Sequence, residues 1–167
     1  YIVTKGVVLR ETETRDADKI LTLLTAERGK LSVIARGVCR KGCKFAACAQ
    51  PLAYSEWTLY KKGDWYYANE GATLELFNGL RADLDAMALG FYLAELTEFV
   101  TGEENPAPEL LRLLLNGLYA LAKLDKDPAL VKPAFTFRLL ALAGFEPMID
   151  GCAVCGAETA QSPVLDV

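Results

Sequence analysis

At Asn78-Gly79 the apolar pattern of this chain changes period, and that switch bounds the fold more tightly than any other feature. Upstream, short segments alternate apolar and polar residues, the period of half-buried strands. They lie near Tyr1 to Arg10, Lys19 to Ala26, Leu31 to Val38, Ala53 to Lys61 and Trp65 to Leu76. Arg28-Gly29-Lys30 and Lys62-Gly63-Asp64 place glycine where hairpin turns need positive φ. Five short strands left as an open sheet expose unpaired edges, and closure into a small barrel removes them. The five-stranded solution of that kind is the OB-fold.

Downstream the spacing is helical. Leu89, Tyr92, Leu93, Leu96, Phe99 and Val100 follow three- and four-residue steps, while Leu84, Met87 and Phe91 cover another face. A helix apolar nearly all round is expected at the centre of a bundle. Gly102 ends it, and Asn105-Pro106 supplies an N-cap and first-turn proline for a second helix carrying Leu110, Leu111, Leu114, Leu115, Leu118 and Leu121. Asp127-Pro128 repeats the signal for a third helix, with Pro133 as an early kink and Gly144 as its stop. The expected class is therefore α+β: residues 1–79 a five-stranded OB-fold barrel, residues 80–167 a helical domain.

Charge separates along the same line. Residues 1–80 hold 12 Lys and Arg against 9 Asp and Glu, a net of +3; residues 81–167 hold 6 against 13, a net of −7. Within the first half, Arg28, Lys30, Arg36, Arg40, Lys41 and Lys44 follow one another without an acid until Glu56. So many cations in sequence repel one another unless a polyanion relieves them, and this stretch is the expected nucleic-acid contact, with a solvated surface strand as the plain alternative. Tyr54, Trp57, Tyr60, Trp65, Tyr66 and Tyr67 come next; alternation assigns about half of them to the barrel core. Trp65 and Tyr67, on one face beside Lys61 and Lys62, are the candidates for stacking on bases.

Chemistry is poorly served by this composition. The chain has no histidine, which removes the usual general base, nucleophile partner and metal ligand. It carries no Gly-rich phosphate loop, nucleophile elbow or Walker-type motif. Glu11, Glu13, Asp16 and Asp18 crowd the first loop, but Arg10, Arg15 and Lys19 are interspersed and a solvated turn is the better reading. No apolar run approaches the length of a membrane span, and a soluble cytoplasmic protein is expected. Of five cysteines, Cys39, Cys43 and Cys48 match no common metal spacing. Cys152-Ala153-Val154-Cys155-Gly156 has the half-site spacing of a structural zinc knuckle; a redox pair or two unligated thiols remain open beside it.

Many short pieces then carry a joint likeness. Gly6-Val7-Val8-Leu9-Arg10-Glu11-Thr12, Ala17-Asp18-Lys19-Ile20-Leu21-Thr22-Leu23, Gly29-Lys30, Ala35-Arg36-Gly37-Val38 and Gln50-Pro51-Leu52 come first. Leu59-Tyr60, Gly79-Leu80-Arg81-Ala82-Asp83-Leu84, Tyr92-Leu93-Ala94-Glu95-Leu96, Phe137-Arg138-Leu139-Leu140 and the Cys152 to Gly156 knuckle follow in order. Together they resemble the RecO recombination mediators over essentially the whole chain. The resemblance implies a non-catalytic bacterial protein of the nucleoid with an N-terminal OB-fold and a helical domain bearing a zinc finger. It further implies binding of single- and double-stranded DNA, annealing of strands coated with single-stranded-DNA-binding protein, and action with RecR to load RecA. On this resemblance Lys30, Arg36, Arg40, Lys41 and Lys44 match the family's basic barrel surface, and Cys152 and Cys155 the first half of its finger. The second cysteine pair and the helices expected after it have no counterpart before Val167, so the chain looks truncated, and cysteines stand in the basic loop where further basic and polar residues are usual. Arg112, Lys132 and Arg138, the few cations on the apolar helices, are candidates for holding the acidic C-terminal tail of single-stranded-DNA-binding protein. A different class remains open: an adaptor whose barrel mainly docks RecR, with DNA contact incidental.

Overall fold

Alternation and turn chemistry produce five strands, which the computed structural model closes into a barrel in the order β1-β2-β3-β5-β4. It describes residues 1–14, 17–147, 149–152 and 155–157. The strands are β1 (Ile2–Glu13), β2 (Lys19–Thr25), β3 (Gly29–Ala35), β4 (Tyr54–Lys62) and β5 (Trp65–Glu75). All neighbours run antiparallel except β3 and β5, which pair parallel through Val33 with Tyr66 and Ile34 with Tyr67. β1 runs three residues beyond the expected end at Arg10, because Glu11 to Glu13 continue to pair with Leu21 to Lys19. β3 starts at Gly29 and stops at Ala35, since residues 36–53 turn away to plug the barrel.

Two separate cores result. The barrel lumen holds Val8, Leu21, Leu23, Leu31, Val33, Trp57, Leu59 and Tyr66, closed by Val38, Cys48 and Ala49 of the β3–β4 connection. The second core lies outside the barrel, where Val7, Leu9, Leu24 and Leu52 meet Leu89, Leu93, Leu114, Leu118 and Phe135 of the helices. Alternation along β1 lets consecutive residues serve both, Val8 inward and Val7 and Leu9 toward the helices, with a bulge between Val8 and Arg10. Each fully buried leucine contributes roughly 1.5–3 kcal/mol, so the shared cluster fixes the helices against β1 and β2.

A short 3-10 turn (Asn78–Ala82) leads into α1 (Leu84–Val100), α2 (Pro108–Ala122) and α3 (Pro128–Leu142). Asp83 caps α1 by accepting from the N–H groups of Asp85 and Ala86, and Asp127 caps α3 by accepting from Ala129. Gly144, at φ 87°, closes α3 as expected. Two expectations are corrected. First, α2 begins at Pro108 with Ala107 as its cap, not at Asn105-Pro106. The β2–β3 hairpin holds the backbone there: the Lys30 N–H donates to Gly102 O at 3.2 Å, Glu104 N–H to Lys30 O at 3.2 Å, and Ala107 N–H to Ala26 O at 2.9 Å. Second, α1 buries one face only, through Ala86, Leu89, Gly90, Leu93, Ala94 and Thr97, and leaves Phe91 and Phe99 exposed. With α2, α3 and the barrel all on one side, apolar residues on every face cannot all be covered.

Candidate nucleic-acid interface

Away from the helices, the outer surface of β4, β5 and β3 presents a face whose content follows from register. The turn at Gly63-Asp64 sets Lys62 opposite Trp65 and Tyr60 opposite Tyr67. Ser55, Trp57 and Leu59 point into the lumen, so Tyr60 points out; Tyr66 is buried, so Trp65 and Tyr67 point out. The Tyr60 and Tyr67 rings stack at 5.2 Å and 15°, and Tyr1 meets Tyr60 at 6.1 Å. On the far side of Tyr67 the Arg36 guanidinium lies 4.7 Å from the ring centroid. Trp65 is 44% exposed.

Arg36 opens the β3–β4 connection, and Arg40, Lys41 and Lys44 follow within its turns, all exposed. Arg40 N–H donates to Gly37 O at 3.0 Å and Cys43 N–H to Arg40 O at 3.2 Å, so the cations ride on an ordered series of turns. That loop is anchored at both ends. The Gly37 N–H donates to the Asp18 carboxylate at 2.6 Å, while Phe45 packs edge-on against Trp57 at 6.4 Å. Cys48 is buried with its Sγ 3.2 Å from Thr73 Oγ1, a packing role; Cys39 is exposed and Cys43 half-buried. Among the described residues Arg36, Arg40, Lys41 and Lys44 form no ion pair.

Lys30 is placed elsewhere. It sits six residues before Arg36, about 20 Å of extended strand, with its Nζ donating to Glu98 O at 3.4 Å. It lines a cleft of about 540 Å³ between barrel and α1, with Leu9, Arg10, Phe91, Glu95, Glu98 and Phe99. Arg10 pairs there with Glu98 at 2.8 Å. At the barrel mouth beside it, Glu104 accepts from Lys61 and from the Tyr66 hydroxyl, both at 3.2 Å. The Lys61 hydrogen bond first, then that of Tyr66 and the nearby Lys61 and Arg28 charges, hold the Glu104 carboxyl below its ordinary range. The same pairing raises the Lys61 amine. Lys61 is thus turned away from Trp65 and Tyr67, and Lys62 alone remains beside them.

The acidic first loop is structural where it is described. Glu11 pairs with Lys19 at 2.7 Å; burial pushes the Lys19 amine down, but the hydrogen bond and charge of Glu11 together with the other negative groups nearby, Glu13 among them, prevail and raise it. Asp16 lies outside the described residues. On the helices, Arg112 pairs with Glu109, Lys132 lies over the Tyr92 ring at 5.0 Å, and Arg138 is exposed. At 100° per residue Lys132 and Arg138 fall on opposite flanks of the buried stripe of α3, so the three are not gathered on one surface. Near the end, Gly156 N–H donates to Cys152 O at 2.8 Å and Cys152 N–H to Ala157 O at 2.9 Å, a tight turn with Gly156 at φ 72°. Ala153 and Val154 lie outside the described residues. Among the described residues no group of three or more metal-ligating side chains forms, so Cys152 and Cys155 offer half of a tetrahedral set.

Sequence reasoning passed over Tyr60 as the partner of Tyr67, and Tyr1 as the partner of Tyr60. The signal for Tyr60 was present: a two-residue turn after Lys62 dictates the Tyr60–Tyr67 pair.

The fold and this face define a class: a closed five-stranded barrel joined through a shared core to a three-helix segment, with a basic and aromatic outer barrel surface. Family models for the N-terminal and C-terminal parts of recombination protein O match residues 1–77 and 81–166. The chain belongs to the RecO family. It is 36% identical over 157 residues to a DNA repair protein RecO of Acetivibrio thermocellus, covering 94% of this chain and 62% of the relative. Against that of Desulforudis audaxviator it is 39% identical over 155 residues, 93% of this chain and 61% of the relative. With that of Caldicellulosiruptor bescii it shares 36% over 154 residues, 92% and 63%. The chain therefore spans less than two thirds of these relatives' length.

Proposed function

We propose that this chain is a non-catalytic recombination mediator that binds single- and double-stranded DNA and anneals strands, working with RecR and single-stranded-DNA-binding protein to load RecA in the bacterial cytoplasm. The barrel, residues 1–79, is read as an OB-fold and as the DNA-binding unit; residues 80–167 are the partner-binding unit. The observation that carries this reading is the set Arg36, Arg40, Lys41 and Lys44, exposed and without ion pairs among the described residues, beside the outward aromatic row. Phosphates tracking this face release counterions at each cation, and bringing two strands to one surface lowers the cost of finding complementarity. Membership of the RecO family and the similarity to relatives known as DNA repair proteins support the same reading. Cys152 and Cys155 are proposed as two of the ligands of a structural zinc, tested by elemental analysis of metal-replete, reduced protein. Arg112, Lys132 and Arg138 are proposed contacts for the acidic tail of single-stranded-DNA-binding protein, each on its own face.

The experiment is an Arg36, Arg40, Lys41 triple alanine variant, its fold verified by circular dichroism. Single-strand affinity should fall with log salt at a slope of about −0.7 per phosphate contact, and the variant should flatten that slope by about two units and lose annealing. An unchanged slope and wild-type affinity would leave RecR docking as the barrel's role.

A further inference from the structure

Tyr67 has both ring faces covered. β5 lies between β4 and β3 in the barrel, so Tyr60 stacks on one face at 5.2 Å and the Arg36 guanidinium takes the other at 4.7 Å. Tyr60 is flanked in turn by Tyr1. A ring enclosed in this way cannot accept a base without expelling a neighbour. Trp65 lies two residues before Tyr67 on the same side and appears in none of these ring contacts. It is 44% exposed opposite Lys62.

We infer that Tyr67 is a positioning residue, held by Tyr60, that presets the Arg36 guanidinium for a DNA phosphate, while Trp65 is the surface on which a base stacks. The two uses of the guanidinium are compatible. Its face meets the ring, while its N–H donors lie in the plane and leave at the edge, where a phosphate takes them in pairs. An arginine already held in one geometry loses less rotamer freedom on binding than one waving in solvent. Trp65 keeps a face open and has a cation across the hairpin for the adjoining phosphate.

This inference rests on the DNA-binding reading, and the test separates the two. The protein has two tryptophans, and Trp57 is sealed in the lumen at 0% exposure, so quenching of fluorescence by a thymidine oligonucleotide reports on Trp65. Quenching should appear in the wild type and in Tyr67→Leu at saturation, and vanish in Trp65→Leu. Tyr67→Phe should bind like wild type. Tyr67→Leu should weaken binding by about two- to fivefold, the range of an exposed cation–π contact, and should add nothing to Arg36→Ala in the double variant. Losses that multiply, or quenching that survives Trp65→Leu, overturn the assignment. Without any DNA, the Arg36 side-chain protons of the wild type and Tyr67→Phe should show an upfield ring-current shift that Tyr67→Leu abolishes. If that shift is absent the positioning role fails even though DNA binds; if it is present and no oligonucleotide binds, the DNA reading is what fails, and with it the roles of Arg36 toward phosphate and Trp65 toward bases.

Discussion

The basic run divides into two halves that the sequence does not distinguish. Arg28 and Lys30 lie at the β2–β3 hairpin, where the α1–α2 connection brings up Glu103 and Glu104 and the end of α1 brings Glu98. Arg36, Arg40, Lys41 and Lys44 lie on turns that plug the barrel, with Asp18 at their base engaged by the Gly37 N–H. A stretch free of acids in sequence is therefore not free of them in space. The first half is bound to the helices and the second faces solvent, so position in the fold decides which cations a polyanion meets.

Glycine substitutions should break this contrast first and by the largest margin. A Cβ on Gly29, at φ 57°, would stand 1.9 Å from Asn105 O, and at Gly42, at φ 86°, it would meet nothing within 4 Å. Gly29→Ala forces the hairpin off the α1–α2 connection and should cost about 2–4 kcal/mol, the sum of overpacking and left-handed strain. Gly42→Ala carries the strain alone, about 1 kcal/mol. Urea unfolding of the two variants measures the difference; equal losses would mean that the hairpin is not buttressed by that connection.

The next effect is on binding. Lys41→Ala should flatten the salt dependence of single-strand affinity by about 0.7, one phosphate contact, while Lys30→Ala should change it by much less. Its ammonium is already committed to the Glu98 carbonyl in a cleft that also holds Glu95. Filter binding across a salt series compares them, and equal slopes for the two variants would make the run one continuous contact.

Much of this was legible from local pattern. The switch at Asn78-Gly79, the five strands, the hairpin at Gly63 and the caps at Asp127 and Gly144 all rest on interactions within a few residues, which sequence displays. What failed depended on distant partners. The start of α2 moved to Pro108 because Ala26 and Lys30 hold the residues before it. The open face of α1 follows from all its partners lying on one side. The separation of Lys30 from Arg36 follows from the extended strand between them and from the backbone carbonyl of Glu98, some seventy residues later, that takes the Lys30 amine. Tyr67 was rightly placed on the outer face by alternation, but only cross-strand neighbours reveal that its ring is enclosed.

The smallest expected effect concerns the contact that ties the two halves of the molecule at the barrel mouth. Glu104 has its carboxyl held below the ordinary range by the Lys61 and Tyr66 hydrogen bonds and by nearby positive charge. A carboxylate whose folded pKa is depressed adds stability that is present above the unfolded value and is lost as pH falls through the folded one. Both Lys61 and Glu104 are open to solvent, so the gain is modest and weakened by salt. Glu104→Gln should therefore melt slightly below wild type at neutral pH, and the gap should close as pH drops below the usual carboxylate range. The gap should also narrow at neutral pH in high salt, because the charge of the pair is screened while the Tyr66 hydroxyl can still donate to the amide oxygen. A difference that persists unchanged at low pH would mean that Glu104 acts through the packing of its loop rather than through its charge, and the barrel and α1–α2 connection would then be joined by backbone pairing alone.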